Sequence, residues 1–241
     1  MPSGELEKFE EAIRKYRALL PEEPDLDRAK RIEEVQLRIA DELRDLIDEG
    51  AGLDAVLGEL DANGTLRALI EEVAEELGPE DRVDAEEAYR KAVGGDVEGV
   101  EGMSALLVIQ AVARAYAEKY EARNGRSRSD SDACPLCGTE SRTMVREGNT
   151  YYMVCPLCSH EWYLSDGSLR CPKCGESERL GVYTDRRGIL GLASCQGCGH
   201  TWHLILGEVD APRVVLPLIG MGAERFRRAL PRGVAESAHD R

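Results

Sequence analysis

Cysteine is confined to the second half of this chain, where all eight residues fall into four Cys-x-x-Cys pairs: Cys134 and Cys137, Cys155 and Cys158, Cys171 and Cys174, Cys195 and Cys198. A thiolate is a soft anionic ligand. Four of them close a tetrahedral metal site, so eight fill two sites with no sulfur left over. Zinc and iron both suit such a set; zinc in it is redox-inert, whereas iron can pass one electron. Four cysteines leave no open position for substrate or water, which argues against metal-assisted hydrolysis. A disulfide framework belongs to secreted chains, but the opening Met-Pro-Ser-Gly-Glu-Leu-Glu-Lys is polar and acidic rather than a leader. No apolar run approaches the length of a membrane span. The expectation is therefore a soluble cytoplasmic protein with metal-bound thiolates.

The gaps between successive pairs are 17, 12 and 20 residues. The first and third match the reach of a zinc-ribbon or rubredoxin-like loop, and the second is short enough to be a joint between modules. A repeat supports that division. Arg146-x-Gly148 precedes Cys155-Pro-Leu-Cys158-Ser-His-Glu-Trp162, and Arg186-x-Gly188 precedes Cys195-Gln-Gly-Cys198-Gly-His-Thr-Trp202, 40 residues later. The leading knuckles, Cys134-Pro-Leu-Cys137-Gly and Cys171-Pro-Lys-Cys174-Gly, correspond at an offset of 37, so the second copy carries three extra residues. The repeat favours sequential pairing, first pair with second and third with fourth. A cross-brace, first with third and second with fourth, is the alternative. The residue after each second cysteine needs positive φ in such a turn; three knuckles place glycine there and the fourth places Ser159.

Other side chains near the cysteines carry secondary roles. His160 and His200 stand two residues after a ligand cysteine and are expected around the ligands rather than among them. Trp162 and Trp202 are expected to pack over their own sites. Tyr151 and Tyr152 are adjacent, so in a strand one faces outward and can meet a partner. No phosphate loop, Ser/His/Asp set or deaminase signature is visible, and the chain is not expected to be an enzyme.

The elements that position these residues follow from periodicity. Leu6, Phe9, Ile13 and Tyr16 mark a helix over about 4–20. Ile32, Val35, Ile39, Leu43 and Leu46 mark a second, ended by Gly50. Shorter helices follow around 53–60, 66–77 with a stop at Gly78-Pro79, and 80–93 before Gly94-Gly95, and the most apolar helix spans 103–121. Short strands are predicted at 144–145, 151–154 and 162–164 in the first ribbon and at 180–183, 190–193 and 202–206 in the second. The fold class is α+β, an all-α N-terminal domain followed by two tandem rubredoxin-like (zinc-ribbon) modules. The divisions are an acidic helical domain 1–123, a polar linker 124–133, ribbons 134–168 and 169–210, and a C-terminal segment 211–241 with a basic helix at 224–230 and a disordered end.

Charge is distributed unevenly. Residues 1–123 hold 32 acidic and 16 basic side chains, whereas residues 124–241 hold 14 and 15. Two metal–tetrathiolate sites would make the second half slightly negative. Tandem ribbons of nucleic-acid binders need a basic footprint. Only Arg142, Arg146, Arg186, Arg187 and the Arg225–Arg228 stretch could form one, which argues against nucleic acid as the partner.

A helical N-terminal region followed by these four pairs resembles the formate dehydrogenase accessory proteins of the FdhE type. The residues that carry the resemblance are Cys134-Pro-Leu-Cys137-Gly, then Cys155-x-x-Cys158-x-x-Glu161-Trp162, then Arg170-Cys171-x-x-Cys174. The resemblance covers 134–210 by motif and 1–123 by helical character. It implies a non-catalytic cytoplasmic maturation factor that binds the catalytic subunit of formate dehydrogenase, or of a related molybdopterin oxidoreductase with molybdenum or tungsten. It also implies two rubredoxin-like modules holding zinc or iron, one through Cys134, Cys137, Cys155 and Cys158, the other through Cys171, Cys174, Cys195 and Cys198. The chain departs from the family in a shorter helical region and in Gly199-His-Thr-Trp202, where the family is expected to carry Tyr and a nearby Lys. A one-electron carrier and a nucleic-acid-binding tandem ribbon are the alternative functions.

Overall fold

The structure, a computed structural model, describes residues 3–20, 25–47, 50–77, 84–93, 99–164 and 167–229. Helices form where apolar residues recur at three- and four-residue steps. They are α1 (Ser3–Tyr16), α2 (Leu26–Leu43), α3 (Leu53–Ala62), α4 (Thr65–Leu77), α5 (Ala85–Val93) and α6 (Gly99–Asn124). A 3₁₀ turn, Arg17–Leu19, follows α1. The Asp25 carboxylate caps α2 by accepting from the Arg28 N–H at 3.1 Å, and Asp84 accepts from the N–H groups of Glu86 and Glu87 at the start of α5. The expected helix stops at Gly78-Pro79 and Gly94-Gly95, and the C-terminal end, lie outside the described residues.

α6 is the axis of the bundle. Ala105, Val108, Ala111, Val112 and Ala113 are all fully buried, and the helix packs against α2, α3, α4 and α5. A helix buried on most of its circumference must be apolar on most of it, which is why the run 103–113 carries no charged residue, although α3 is the more hydrophobic helix as a whole.

The cysteine-bearing half forms seven strands: β1 (Ser127–Arg128), β2 (Thr143–Glu147), β3 (Thr150–Val154), β4 (Glu161–Tyr163), β5 (Leu180–Thr184), β6 (Leu190–Cys195) and β7 (Thr201–Ile205). Each ribbon is a three-stranded antiparallel unit, β2–β3–β4 and β5–β6–β7. β1 arises within the stretch read as a polar linker. The ribbons do not hang as separate beads: β7 pairs in parallel with β2, and β1 pairs in parallel with β4. One sheet results, ordered β1-β4-β3-β2-β7-β6-β5.

Alternation along the strands gives this sheet two apolar faces. One carries Met144, Met153, Trp162, Trp202 and Leu204 and joins the core of α2–α6. The other carries Val145, Tyr152, Val154, Leu190, Leu192 and Ile205. It is covered by α1, by a helix α7 (Val215–Met221) and by the 3₁₀ helix Gly222–Ala229, which lies where the basic helix is expected. Helix α1 thus shares a core with α7, about 200 residues further along the chain. Phe9 and Ile13 of α1 belong to the same cluster as Val215 and Ile219 of α7, and the Asp210 N–H donates to the Tyr16 hydroxyl at 2.9 Å.

Candidate metal centres

Each knuckle is built the same way. The N–H of the first cysteine donates to the carbonyl five residues on (Thr139, His160, Glu176, His200), at 2.8–2.9 Å. The N–H of the residue after the second cysteine returns to the carbonyl of the first, at 2.8–3.1 Å (Gly138, Ser159, Gly175, Gly199). These two bonds close the turn and force positive φ at the returning residue: 73° at Gly138, 59° at Ser159, 75° at Gly175 and 76° at Gly199. Ser159 is the one non-glycine residue with positive φ among the described residues.

The four knuckles meet in two groups. The sulfurs of Cys134, Cys137, Cys155 and Cys158 lie within 4.8 Å of one another, and so do those of Cys171, Cys174, Cys195 and Cys198. This grouping is sequential, not cross-braced. Across the first group the Sγ atoms of Cys134 and Cys158 are 3.6 Å apart, and those of Cys137 and Cys155 are 3.4 Å apart. Across the second, both the Cys171–Cys198 and the Cys174–Cys195 separations are 3.6 Å. A metal–sulfur bond of about 2.3 Å gives a tetrahedral edge of about 3.8 Å, so spacing and donor chemistry both fit one tetrahedral ion per group. Backbone N–H groups of Leu157 and Cys158 point at Cys155 Sγ at 3.4 Å each, favouring the thiolate.

The two groups differ in access. In the first, Cys134, Cys155 and Cys158 are buried and Cys137 half-buried. In the second, Cys174 is exposed and Cys198 half-buried. The Glu176 backbone N–H holds the Cys174 thiol below its ordinary value, against the opposing push of burial.

The equivalent histidines and tryptophans contribute no ligand atom to either group and instead stack on each other. His160 stacks near Trp162, with ring centroids 6.3 Å apart and an interplanar angle of 12°; His200 and Trp202 repeat this at 6.0 Å and 15°. Both tryptophans are fully buried. In the first ribbon every polar atom of this pair has a partner. His160 Nδ1 donates to Glu121 Oε1 of α6 at 2.6 Å, its Nε2 meets Ser127 Oγ at 2.6 Å, and Trp162 Nε1 donates to the Ser131 carbonyl at 3.1 Å. In the second ribbon His200 Nε2 and Trp202 Nε1 are buried without a protein partner among the described residues. Burial pushes the His200 imidazole below its ordinary value. Tyr152 is buried beneath the Arg126 guanidinium, 4.3 Å from its ring centroid, and Tyr151 is half-buried. Neither tyrosine stands exposed.

Sequence reasoning missed the residues that clamp the first ribbon to the helices. Glu121, at the end of α6, bonds His160, Arg213 and the Glu161 N–H. Burial pushes its carboxyl up, but these three donors outweigh that and hold it below the ordinary range. Glu161, the acid of the Glu-Trp motif, is 2% exposed. It is held between Arg126, at 2.6 Å, and Arg213, at 3.3 Å. Its burial raises the carboxyl pKa against both cations. A buried carboxylate demands such partners, so its motif position carried the signal that cations would converge there.

Beside this clamp lies a cleft of about 600 Å³. It is walled by α1, by the interior end of α6, by the Cys158–Ser159 knuckle and by residues 210–214. Its rim is charged, with Glu5, Glu11, Glu118, Lys8 and Lys15 among the lining residues. Burial raises the carboxyl pKa of Glu118 there, against nearby Arg114. Beneath it, Arg114 makes a two-pronged ion pair with Glu33 at 2.9 and 3.0 Å. Among the described residues, no helix is long and apolar enough to cross a membrane.

No family model matches the chain, and no curated protein matches it. A solved structure does. The crystal structure of the FdhE protein from Pseudomonas aeruginosa matches with a TM-score of 0.59, over 93% of this chain and 91% of that one, at 17% sequence identity. With so few identities the likeness is one of fold, and it runs through helices and ribbons alike: this chain has an FdhE-type fold.

Proposed function

We propose that this chain is a non-catalytic maturation factor acting in the cytoplasm, which binds the catalytic subunit of a formate dehydrogenase-like molybdenum or tungsten enzyme and supports its assembly. The observation that carries the reading is the FdhE-type fold over 93% of the chain, joined to the Glu-Trp motif of the first ribbon. The eight cysteines would hold two ions, zinc or iron, one per group. When bound, each ion supplies a cross-link that stiffens its two knuckles. The chain's own residues do the rest. The sheet, gripped by helices on both faces, is a rigid platform. The cleft between α1, α6 and the first ribbon is the groove for the client, its charged rim suited to a polar surface.

The test is affinity capture of the tagged full chain from anaerobic native cytosol, with bound proteins identified by mass spectrometry. A molybdopterin catalytic subunit, captured by the native chain and lost with Cys134→Ser or Cys171→Ser together with client activation, supports the reading. Ribosomal, polymerase or nucleic-acid material in its place would overturn it.

One observation favours a second reading, a one-electron carrier: Cys174 is exposed, so the second site has a short path to the surface. A reversible visible absorption band in the anaerobically purified protein supports it, and colourless zinc protein excludes it.

A further inference from the structure

The two ribbons are copies, so each shows what the other lacks. Met153 of β3 and Ala193 of β6 stand at the repeat offset of 40 residues, and they pair with Met144 of β2 and Val182 of β5 respectively. Val182 therefore occupies in the second ribbon the place of Met144 in the first. Met144 is fully buried, with Leu204 of β7 beside it in parallel register. Val182 is 40% exposed, and β5 is the last strand of the sheet. Among the described residues no strand lies where β7 lies on β2.

Two bonds fix which backbone groups are free. The Asp185 N–H donates to the Leu190 carbonyl, and the Gln196 N–H donates to the Arg179 carbonyl. In an antiparallel ladder such pairs alternate, so Gly181 and Tyr183 face β6 while Leu180, Val182 and Thr184 turn their N–H and C=O groups to the open edge. Proteins blunt such edges with charge, proline or brevity. The opposite edge, β1, does so: it is two residues long and sits between Arg126 and Ser129 with Arg128 within it. β5 is Leu-Gly-Val-Tyr-Thr, five residues without a charge or a proline.

We propose that the outer edge of β5 is a docking site for an extended segment of another protein, added as a parallel strand with an apolar side chain set over Val182. The parallel sense comes from the sheet itself, whose two cross-unit junctions, β1 on β4 and β7 on β2, are both parallel. A second copy of this chain meeting β5 with its own β5 would be related by a twofold axis and must pair antiparallel. Main-chain hydrogen bonds supply affinity at such an edge and side-chain pockets supply selectivity. The proposal is independent of which enzyme the chain serves.

The experiment selects binders for the metal-loaded full chain from a random 12-residue peptide library displayed on phage. Backbone amide exchange is then recorded with and without the selected peptides. Peptides sharing one apolar position, which slow exchange at Leu180, Val182 and Thr184 and bind at least tenfold more weakly to Val182→Pro, support the proposal. Proline removes an outward donor and no bond to β6, and Val182→Lys, which keeps the backbone donor, should also weaken binding. The proposal is overturned if no peptide is enriched, if those amides are unaffected, or if both variants bind as the native chain does. It is equally overturned if the three amides are protected in the protein alone, either lost on deleting 230–241, which makes the chain's own end the occupant, or accompanied by a dimer in sedimentation.

Discussion

His160 Nδ1 stands 2.6 Å from Glu121 Oε1, across 39 residues of chain, and this bond fastens the helical half to the second knuckle of the first ribbon. Glu121 also accepts from the Glu161 N–H at 3.1 Å and from Arg213. Replacing Glu121 with alanine leaves buried donors unpaired, each costing about 1–3 kcal/mol. Glu121→Ala should lower the urea midpoint of unfolding and speed release of metal from the first site, leaving the second unchanged. Equal release from both sites would mean that the clamp does not act locally.

Ser159 bears a left-handed backbone that its three counterparts meet with glycine. A side chain there costs about 1–2 kcal/mol. Ser159→Gly should therefore stabilise the protein, by somewhat less than this because glycine also loosens the unfolded chain. The reverse change at Gly175, where φ is 75° and a Cβ would meet nothing within 4 Å, isolates the backbone cost and should destabilise. Thermal unfolding of Ser159→Gly and Gly175→Ala should shift in opposite directions.

The Glu33–Arg114 pair lies under the cleft with side chains only 5% and 10% exposed. Removing one partner strands a buried charge, at a cost of about 3–5 kcal/mol. Arg114→Ala should show that loss in urea unfolding, and Glu33→Gln with Arg114→Met together should recover most of it. Similar losses in single and double variants would place the effect in packing rather than charge.

Glu224 is held down to about 2, first by its hydrogen bond with His203 of β7 at 2.9 Å and then, against burial, by Arg227. A carboxyl depressed on folding stabilises above its unfolded value and loses that contribution as pH falls through its folded value. The window here runs from about pH 4.5 down to about 2. Glu224 is 38% exposed, so solvent reduces the effect to on the order of 1–2 kcal/mol. The stability difference between native chain and Glu224→Gln should be fully present just above this window and vanish below it.

Chelator should empty the two sites at different rates. Cys174 is exposed in the second, whereas three ligands of the first are buried. Metal release followed with a colorimetric chelator should be biphasic, and Cys171→Ser should abolish the fast phase. A single phase would show that the two sites open together.

The cysteine spacing, the repeat and the glycine pattern made the knuckles legible, because a four-sulfur site fixes its local turn almost completely. The helices were legible from periodicity. The parallel β2–β7 junction was not: Thr143–Val145 and His203–Ile205 carry no mark of mutual pairing, and parallel contacts join residues far apart in sequence. Nor was Glu121, one acid among many on the helical half. The Glu-Trp motif pointed to the right place without showing why. Arg126 and Arg213 supply the reason, and they come from opposite sides of the ribbons in sequence.

The sharing of one apolar cluster by α1 and α7 has a consequence for biosynthesis. As the chain leaves the ribosome, Phe9 and Ile13 emerge well before their partners, Val215 and Ile219, with the helical bundle and both ribbons made in between. Until then the first helix carries an uncovered greasy stripe, and β2 an open edge awaiting β7. A prematurely terminated chain keeps both exposed, an invitation to quality-control proteases. Synthesis of β7 and α7 is the step that covers both.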